Sequence, residues 1–316
     1  MTPPKVSVIL PTYDRPGHLR DAVESVDTQT HGSVELIVVD DHSPTPAAET
    51  LSDVSLEDAT LRIIRHETNR GANEARNTGI EAATGEYVAF LDDDDEWAPS
   101  KLARQVSAFD AGDDRIGVVY TGTVYDYGSY ERTVLFSLSG DVTEALLRGG
   151  SLGQFSTLMI DADVMANCGT LDTRFPSWQD RDLLLRLSTQ CRFKPIEEPL
   201  TVRSRVSDEQ SITDNFEEKR DISYPLFLEK HRDLAASHGV EREFVASLSE
   251  NLGAAALKNG YYADARKYLL KSLYYGPVDR SRWIYALLSL GGSYTYGPAS
   301  QLAHAFHRTS SAPTQR

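Results

Sequence analysis

Short apolar runs alternate with helix-like stretches along the first hundred residues of the chain. The apolar runs are Val6–Leu10, "VELIVV", "LRII" and Tyr87–Leu91. Helical patterns lie between them, from about Gly17 to Gln29 and between Gly71 and Gly85. Continuous apolar strands that alternate with helices are typical of a mostly parallel sheet covered on both faces. The pattern therefore predicts an α/β fold.

Polar clusters follow three of the four predicted strands. "PTYDR" comes after the first strand, "DDHS" after the second and "DDDDEW" after the fourth. The carboxyl ends of parallel strands meet at one edge of a sheet, which is where such folds bind ligands. We therefore expect these three clusters to form one binding site.

The third cluster contains four consecutive aspartates, Asp92 to Asp95. Neighbouring carboxylates repel each other unless a proton or a cation neutralises them. Carboxylate oxygens are hard ligands that suit Mn²⁺ or Mg²⁺. The alternative is a solvated acidic turn, but the position of the four aspartates at the end of a strand favours a metal site.

The order of the motifs resembles that of a known enzyme family. "VSVILPTYDR", "IVVDDHS", "NRGANEARNTGIEAATGEYVAFLDDDDEW" and "WQDRDLLLRL" look like successive signatures of glycosyltransferase family 2, over about residues 5–213. The resemblance implies a GT-A fold, with a Rossmann-like, mostly parallel sheet flanked by helices. It also implies a metal-dependent, inverting hexosyltransferase that uses a nucleotide-sugar donor, with a UDP-sugar favoured.

The resemblance assigns roles to individual residues at the strand ends. The metal motif Asp-x-Asp of the family corresponds to Asp92 and Asp94, with Asp94 as the closest ligand, although the acidic neighbours Asp93 and Asp95 leave its register open. The expected nucleotide-sugar-binding residues are Pro11, Thr12, Tyr13, Asp14, Asp40, Asp41, Arg76, Asp92 and Asp93. Either Asp40 or Asp41 would read the base or ribose, and a turn or capping role is the alternative for both.

The motif "WQDRDLLLRL" would supply the general base. An inverting transfer needs one group that takes the proton of the acceptor hydroxyl. The resemblance favours Asp180 as that base and Asp182 as a supporting residue, and helix capping is the alternative for both. Gln179 stands where the family commonly has an acid. The histidine that many relatives carry further along is also absent, which leaves its role to Arg203 or Arg205.

The composition limits the partners of the protein. The 316 residues include 32 Lys and Arg against 47 Asp and Glu, which gives a formal net charge of -15. Such an acidic, lysine-poor chain resembles proteins of salt-loving organisms, and we expect a halophilic archaeal origin. No basic stripe suits nucleic acid. Without a signal peptide or a long apolar span, the expected location is cytoplasmic, with peripheral contact to the cytoplasmic face of the membrane as the alternative.

The chain changes character after about residue 214. The sequence predicts a catalytic domain over 1–214 and an α-helical region over 215–316, in which residues 248–277 resemble one tetratricopeptide-like helix pair closed by Pro277. The segment "RSRWIYALLSLGGSYTY" is either core or an interfacial patch, with Trp283, Tyr285, Leu287 and Leu288 at the headgroup boundary beneath Arg280 and Arg282. The last ten residues are expected to be disordered.

These features favour a glycosyltransferase that acts in surface-glycan assembly or in lipid-linked protein N-glycan assembly, on a glycan or lipid-linked acceptor. One alternative is a noncatalytic nucleotide-sugar or glycan-binding module on the same fold, which Gln179 and the missing histidine would allow. A phosphodiesterase is a further alternative, but that chemistry usually needs additional metal ligands.

Overall fold

The computed structural model describes residues 3–57, 59–110, 115–204, 215–277 and 280–296. The chain divides into two compact units. The α/β unit consists of Met1–Val142, Ser151–Thr173 and Gln179–Val206. The helical unit consists of Thr143–Gly150, Arg174–Trp178 and Ser207–Arg316, so it includes two short segments of the predicted catalytic region. The domain boundary between residues 214 and 215 stays a prediction.

Nine strands of the described residues form one sheet in the α/β unit. They are β1 Val6–Thr12, β2 Val34–Asp40, β3 Ala59–Arg65, β4 Tyr87–Phe90, β5 Asp95–Trp97, β6 Ile116–Asp126, β7 Glu131–Val134, β8 Leu158–Asp161 and β9 Arg192–Ser204. The helices of this unit are α1 Pro16–Asp27, α2 Ala47–Thr50, α3 Ala72–Ala82, α4 Lys101–Asp110, α6 Ala162–Cys168 and α7 Gln179–Ser188. Those of the helical unit are α5 Thr143–Leu147, α8 Phe216–Glu218, α9 Tyr224–Ser237, α10 Glu241–Lys258, α11 Tyr262–Tyr275 and α12 Arg280–Leu290.

The strand order is β3-β2-β1-β4-β8-β6-β9-β5, and β7 pairs with β6. The first four strands in this order are parallel. Strand β8 runs antiparallel to β4 and β6, β9 runs parallel to β6, and β5 is antiparallel to β9. The α/β prediction is confirmed, and the parallel pattern holds for β1 to β4, whereas the sheet as a whole is mixed.

Helix α1 shows why these sequences form these elements. Pro16 occupies its first turn, where a missing backbone N–H costs nothing. Leu19, Ala22, Val23 and Val26 are spaced by three or four residues and are all buried in the core beneath β1 and β2. Fully burying a leucine or valine side chain contributes roughly 1.5 to 3 kcal/mol to folding. The buried face of α1 therefore helps to fix the position of the loop after β1.

A buried carboxylate connects the central strands. Glu35 of β2 accepts hydrogen bonds from the hydroxyl of Ser7 on β1 and from the backbone N–H and hydroxyl of Thr84, at 2.6 and 2.8 Å. The ammonium of Lys5 lies 2.9 Å from the same carboxylate. Burial acts to raise the pKa of Glu35, but these hydrogen bonds outweigh it and lower the pKa to about 2. Glu35 thus joins β1 and β2 to the loop before β4.

The helical unit contains the predicted helix pair. Helices α10 and α11 pack on each other, and a Cβ atom at Gly253 would lie 2.7 Å from the side chain of Leu269, so only glycine permits this approach. Helix α11 ends at Tyr275, shortly before Pro277. No helix of the described residues is long and apolar enough to cross a membrane. The prediction of disorder for the last ten residues lies outside the described residues.

Helix α12 differs from its prediction in one respect. Arg282 is buried, and its Nε atom donates to Glu250 at 2.7 Å, so this arginine is an internal ion-pair partner and cannot contact lipid headgroups. The predicted place of Arg282 at the edge of the interfacial patch is therefore wrong, whereas the patch itself stays a prediction. The exposed apolar side chains of the described helix are Trp283, Ile284, Tyr285, Leu287 and Leu290, at 36 to 64% of their full accessibility.

Candidate functional site

Three loops near the predicted site residues hold a strained backbone. Among the described residues, the non-glycine residues with positive φ are Asp14 at 53°, His42 at 69° and Trp178 at 69°. Asp14 follows β1, His42 follows β2, and Trp178 directly precedes the Gln179–Asp180 pair in the chain. Left-handed conformations of such residues persist where the surroundings enforce them, and they cluster at functional sites.

The aspartates after β4 form the candidate metal centre. Asp92, Asp94 and Asp95 each offer a carboxylate oxygen, and these oxygens lie within 4.8 Å of one another. Asp95 is 1% exposed, and its Oδ1 atom has no hydrogen-bond partner among the described residues. Three carboxylates this close together, one of them buried and with an oxygen that accepts no hydrogen bond from the described residues, fit a divalent cation. Asp95 was not among the expected ligands, because the sequence offers no signal that separates it from Asp93.

Asp93 lies apart from this trio. One of its oxygens accepts from the hydroxyl of Thr12 at 2.9 Å, and the other accepts from Arg15 Nη1 at 3.0 Å. Burial is the largest influence on Asp93 and raises its pKa, against the charge of Arg15 and the hydrogen bond from Thr12. The structure thus joins Asp93 to Thr12, two of the residues expected to bind the nucleotide sugar.

Arginines from three distant parts of the chain surround the aspartates. Arg76 Nη2 lies 2.5 Å from Asp92 Oδ1, Arg15 Nη1 lies 3.4 Å from Asp94 Oδ2, and Arg203 Nε lies 3.6 Å from Asp95 Oδ1. Burial acts to raise the pKa of Asp92, but the charges of Arg76 and Arg203 hold it below its ordinary value. For Asp95 burial dominates and raises the pKa to about 7.

Arg76 is held rigidly on α3. It is 6% exposed, and its guanidinium carbon lies 4.3 Å from the centroid of the Phe155 ring. Its Nε and Nη1 atoms have no hydrogen-bond partner among the described residues. Buried guanidinium donors without partners are rare because each costs free energy. Arg76 therefore has donors to offer an anionic ligand, as expected for a residue that binds the base or diphosphate.

The two aspartates after β2 have different surroundings. Asp40 accepts from the backbone N–H groups of Ser43 and Ala47, at 2.7 and 3.0 Å, and from Arg65. Burial acts to raise the pKa of Asp40, but these hydrogen bonds lower it. This geometry matches the turn and capping alternative, since both oxygens hold the loop after β2 together.

Asp41 is oriented by the loop before α3. It accepts from the backbone N–H groups of Arg70 and Gly71, at 2.8 and 2.7 Å. His66 Nδ1 lies 2.7 Å from Asp41 Oδ1, and His66 Nε2 lies 2.9 Å from the hydroxyl of Thr78. No role for His66 was predicted from the sequence, although its position directly after β3 is the signal that could have indicated one. Each carboxylate oxygen accepts two bonds, so Asp41 Oδ2 retains capacity for a nucleoside group.

The remaining expected nucleotide-binding residues lie at the end of β1 and directly after it. Pro11 and Thr12 are buried, whereas Tyr13 is 47% exposed and its ring is accessible for stacking. The backbone N–H of Asp14 donates to Ser43 Oγ at 3.1 Å, which ties the loop after β1 to the loop after β2. The structure thus brings these two predicted clusters together.

The candidate base lies in the first turn of α7. Asp180 is partly buried, and one oxygen accepts from the backbone N–H of Arg181 at 2.8 Å. Burial raises the pKa of Asp180, the charges of Arg181 and Arg76 oppose this, and the charge of Asp92 adds to it. The charges of Asp92 and Arg76 thus both act on the carboxyl group of Asp180. A raised pKa brings a carboxylate nearer to the range that suits a general base.

The neighbours of Asp180 have structural partners. Asp182 is fully buried and accepts from Arg186 Nε at 3.0 Å, one helical turn further on.

Arg203 is held beside the aspartates after β4 by Gln154. Gln154 donates to Asp95 Oδ2 at 3.3 Å and accepts from Arg203. Of the two arginines expected to replace the missing histidine, Arg203 reaches the cluster and Arg205 lies outside the described residues.

Comparison with known proteins identifies the family of this chain. Residues 7–164, half of the chain, match the family model described as glycosyl transferase family 2. The chain therefore belongs to glycosyltransferase family 2, which confirms the predicted family and enzyme class.

Three curated relatives illustrate the match. An uncharacterized glycosyltransferase of Haemophilus influenzae is 29% identical over 225 residues, which are 69% of this chain and 75% of that protein. The putative teichuronic acid biosynthesis glycosyltransferase TuaG of Bacillus subtilis is 42% identical over 103 residues, 33% of this chain and 41% of that protein. The amylovoran biosynthesis glycosyltransferase AmsB of Erwinia amylovora is 29% identical over 189 residues, 57% of this chain and 62% of that protein. The chain thus spans less than two thirds of the last two.

Solved structures share the fold. S. aureus TarS 1-349 in complex with UDP-GlcNAc superimposes with a TM-score of 0.61 at 19% identity, over 86% of this chain and 82% of that chain. The mannosyltransferase PcManGT of Pyrobaculum calidifontis, in complex with GDP-Man and Mn²⁺, gives a TM-score of 0.58 at 16% identity, over 91% of this chain and 84% of that chain. These similarities confirm the GT-A fold.

Proposed function

We propose that the protein is a metal-dependent, inverting hexosyltransferase that moves a sugar from a nucleotide diphosphate to an acceptor hydroxyl. The observation that carries this proposal is the group of Asp92, Asp94 and Asp95 oxygens within 4.8 Å of one another, with Asp180 close enough to interact electrostatically with Asp92. A metal-binding carboxylate group beside a separate, raised-pKa carboxylate matches the two needs of this reaction.

The transfer would proceed in one displacement. Asp180 takes the proton of the acceptor hydroxyl, the oxygen attacks the anomeric carbon, and the bond from that carbon to the diphosphate oxygen breaks with inversion. A divalent cation held by Asp92, Asp94 and Asp95 would neutralise the negative charge of the leaving diphosphate. The free donors of Arg76 would orient the phosphate or base.

A nucleotide sugar is the proposed donor, and a UDP-sugar is favoured. Complexes of structural neighbours with UDP-GlcNAc and with GDP-Man and Mn²⁺ support this donor class and the choice of a divalent cation, Mn²⁺ or Mg²⁺. Asp41, fixed by His66 and two backbone N–H groups, and the exposed ring of Tyr13 would bind the nucleoside.

The proposed acceptor is a growing surface glycan or a lipid-linked glycan in protein N-glycan assembly. The names of two relatives, in teichuronic acid and amylovoran biosynthesis, support the surface-glycan route. The exposed aromatic and aliphatic side chains of α12 would provide peripheral contact with the cytoplasmic face of the membrane. The acidic composition supports a halophilic origin, which a rise of activity with KCl concentration would test.

The test compares Asp180→Asn with wild-type protein across a panel of nucleotide sugars, with and without Mn²⁺. The asparagine keeps the shape but cannot take the proton, so transfer should fall by about 10² or more while donor affinity changes less than a few fold. Asp163→Asn is the matched control, since Asp163 is an exposed carboxylate in the first turn of α6. Donor binding without any turnover in the wild type would instead identify a noncatalytic nucleotide-sugar-binding module.

A further inference from the structure

Three arginines neutralise most of the charge on the four aspartates after β4. Arg76 pairs with Asp92, Arg15 with Asp93 and Asp94, and Arg203 with Asp95. The described protein therefore brings three positive charges to four negative ones. Such a cluster is close to charge balance before any cation arrives, unlike an isolated group of carboxylates.

The four ion pairs differ in how readily they can open. The side chains of Arg76 and Arg203 are 7 and 17% exposed, and their partners Asp92 and Asp95 are 20 and 0% exposed. Removing either arginine from its partner would leave a largely buried carboxylate without its counter-charge, which is strongly unfavourable. Arg15 and Asp94 are 31 and 33% exposed, so water can solvate Asp94 after the two separate, while Arg15 keeps its 3.0 Å contact with the buried Asp93.

The site nevertheless retains buried polar atoms without a hydrogen-bond partner among the described residues. Asp95 Oδ1 has no hydrogen-bond partner among the described residues, and neither have Nε and Nη1 of Arg76. Both residues are more than nine-tenths buried. A cation beside Asp95 and a phosphate beside Arg76 would satisfy both sets of atoms together, whereas a cation alone would leave the arginine donors unsatisfied.

A nucleotide diphosphate changes the charge balance of this cluster. Without it, a divalent cation meets three arginine charges at short range, and Arg15 already holds Asp94. The diphosphate brings at least two negative charges and further oxygen ligands, and it offers Arg15 another partner. The donor should therefore strengthen cation binding, and by reciprocity the cation should strengthen donor binding by the same factor.

We infer that Arg15 is the built-in counter-ion of Asp94, which keeps divalent-cation affinity low until a nucleotide diphosphate is bound. This inference rests on the proposed function. Arg15 suits this task because it directly precedes Pro16 in the first turn of α1, so its backbone is fixed while its side chain is partly free. Binding of the metal ion and binding of the nucleotide-sugar donor are thus coupled.

The test is a Mn²⁺ titration followed by electron paramagnetic resonance of the free ion, without nucleotide and with saturating UDP or, in parallel, GDP. In the wild type, the nucleotide should tighten Mn²⁺ binding at least tenfold. Arg15→Gln should tighten Mn²⁺ binding to the nucleotide-free protein by roughly tenfold, since one positive charge at close range is removed. The factor by which nucleotide tightens Mn²⁺ binding should be correspondingly smaller in Arg15→Gln than in the wild type. Arg15→Lys keeps the charge and should resemble the wild type.

Arg20→Gln is the matched control, because Arg20 lies on the same helix, carries the same charge and pairs with Asp53 at 2.6 Å. It should leave Mn²⁺ affinity unchanged. Equal Mn²⁺ affinity of wild type and Arg15→Gln without nucleotide would overturn the inference, while nucleotide-dependent Mn²⁺ binding would still support the proposed function. Tight Mn²⁺ binding by the nucleotide-free wild type would overturn the inference without any variant. Absence of Mn²⁺ binding under all conditions would overturn both.

Discussion

The imidazole Nδ1 of His66 lies 2.7 Å from the carboxylate of Asp41, across the carboxyl ends of β2 and β3. Because a carboxylate only accepts hydrogen bonds, Nδ1 donates to Asp41, and Nε2 lies 2.9 Å from the hydroxyl oxygen of Thr78. This contact orients the carboxylate that we expect to read the nucleoside.

His66→Ala should therefore weaken nucleotide binding. Without His66, only the backbone N–H groups of Arg70 and Gly71 orient the Asp41 carboxylate among the described residues, and we expect a roughly tenfold higher Kd for UDP, which corresponds to about 1.4 kcal/mol. Isothermal titration calorimetry measures this change. His18→Ala, at an exposed position on α1, is the control and should bind UDP like the wild type. An unchanged Kd for His66→Ala would mean that Asp41 does not contact the nucleoside.

Asp94→Ala should nearly abolish turnover and metal-dependent donor binding, because Asp94 is the most exposed of the three candidate ligands and the expected closest one. Asp95→Ala should reduce turnover less, since Asp95 is also held by Gln154 and Arg203 inside the protein. Steady-state transfer rates at increasing Mn²⁺ concentration compare the two variants. Equal and small losses at both positions would restore the interpretation of the run as an acidic turn.

Glu35→Gln should make the free energy of unfolding depend less on pH in the acidic range. The pKa of Glu35 is lowered to about 2, so its stabilisation is fully present above the unfolded value of about 4.3 and is lost as pH falls towards 2. The glutamine should cost about 1 to 3 kcal/mol at neutral pH and flatten this acid limb. Denaturant unfolding between pH 7 and pH 3 is the measurement. Glu81→Gln, on the exposed side of α3, should keep the wild-type acid dependence.

Lys101 should make stability rise with pH above neutrality. It is fully buried, burial lowers its pKa well below the ordinary value, and its ammonium nitrogen contacts Gln105 at 2.8 Å and the Trp97 ring at 3.8 Å. At a pH between the pKa of Lys101 in the folded protein and its pKa in the unfolded chain, the unfolded chain binds one more proton than the folded protein. Raising the pH towards about 10 therefore favours the folded state. Relative to Lys101→Met, the wild type should therefore gain unfolding free energy between pH 7 and pH 9.5. A constant difference would mean that Lys101 stays charged on the Trp97 ring.

Replacing Trp283 and Leu287 by serine should release the protein from vesicles while donor hydrolysis continues. These side chains are 50 and 60% exposed, so their removal should change stability little. The net charge of -15 opposes anionic lipid, so binding should be stronger to neutral vesicles. Flotation with vesicles at several salt concentrations is the measurement, and Leu135→Ser is the control for an exposed leucine elsewhere. A wild type that binds no vesicle would indicate a soluble acceptor.

Much of the fold follows from the sequence because it depends on local patterns. The buried runs of β1 and β2 and the three-to-four-residue spacing on α1 each arise within a dozen residues. The polar clusters could be assigned to one edge because parallel strands direct their carboxyl ends to the same side. The family could also be identified, since its motifs follow one another along the chain.

The tertiary structure decided what each charged group does. Asp93 and Asp95 are equivalent in sequence, but one pairs with Arg15 and the other with Arg203, which are 78 and 108 residues away along the chain. The role of His66 and the burial of Arg282 likewise depend on partners from other elements. Periodicity is a local property of the chain, whereas charge balance is set by the distances that the topology creates. The sequence therefore determined which groups reach the site, and only the folded chain determined which of them neutralise one another.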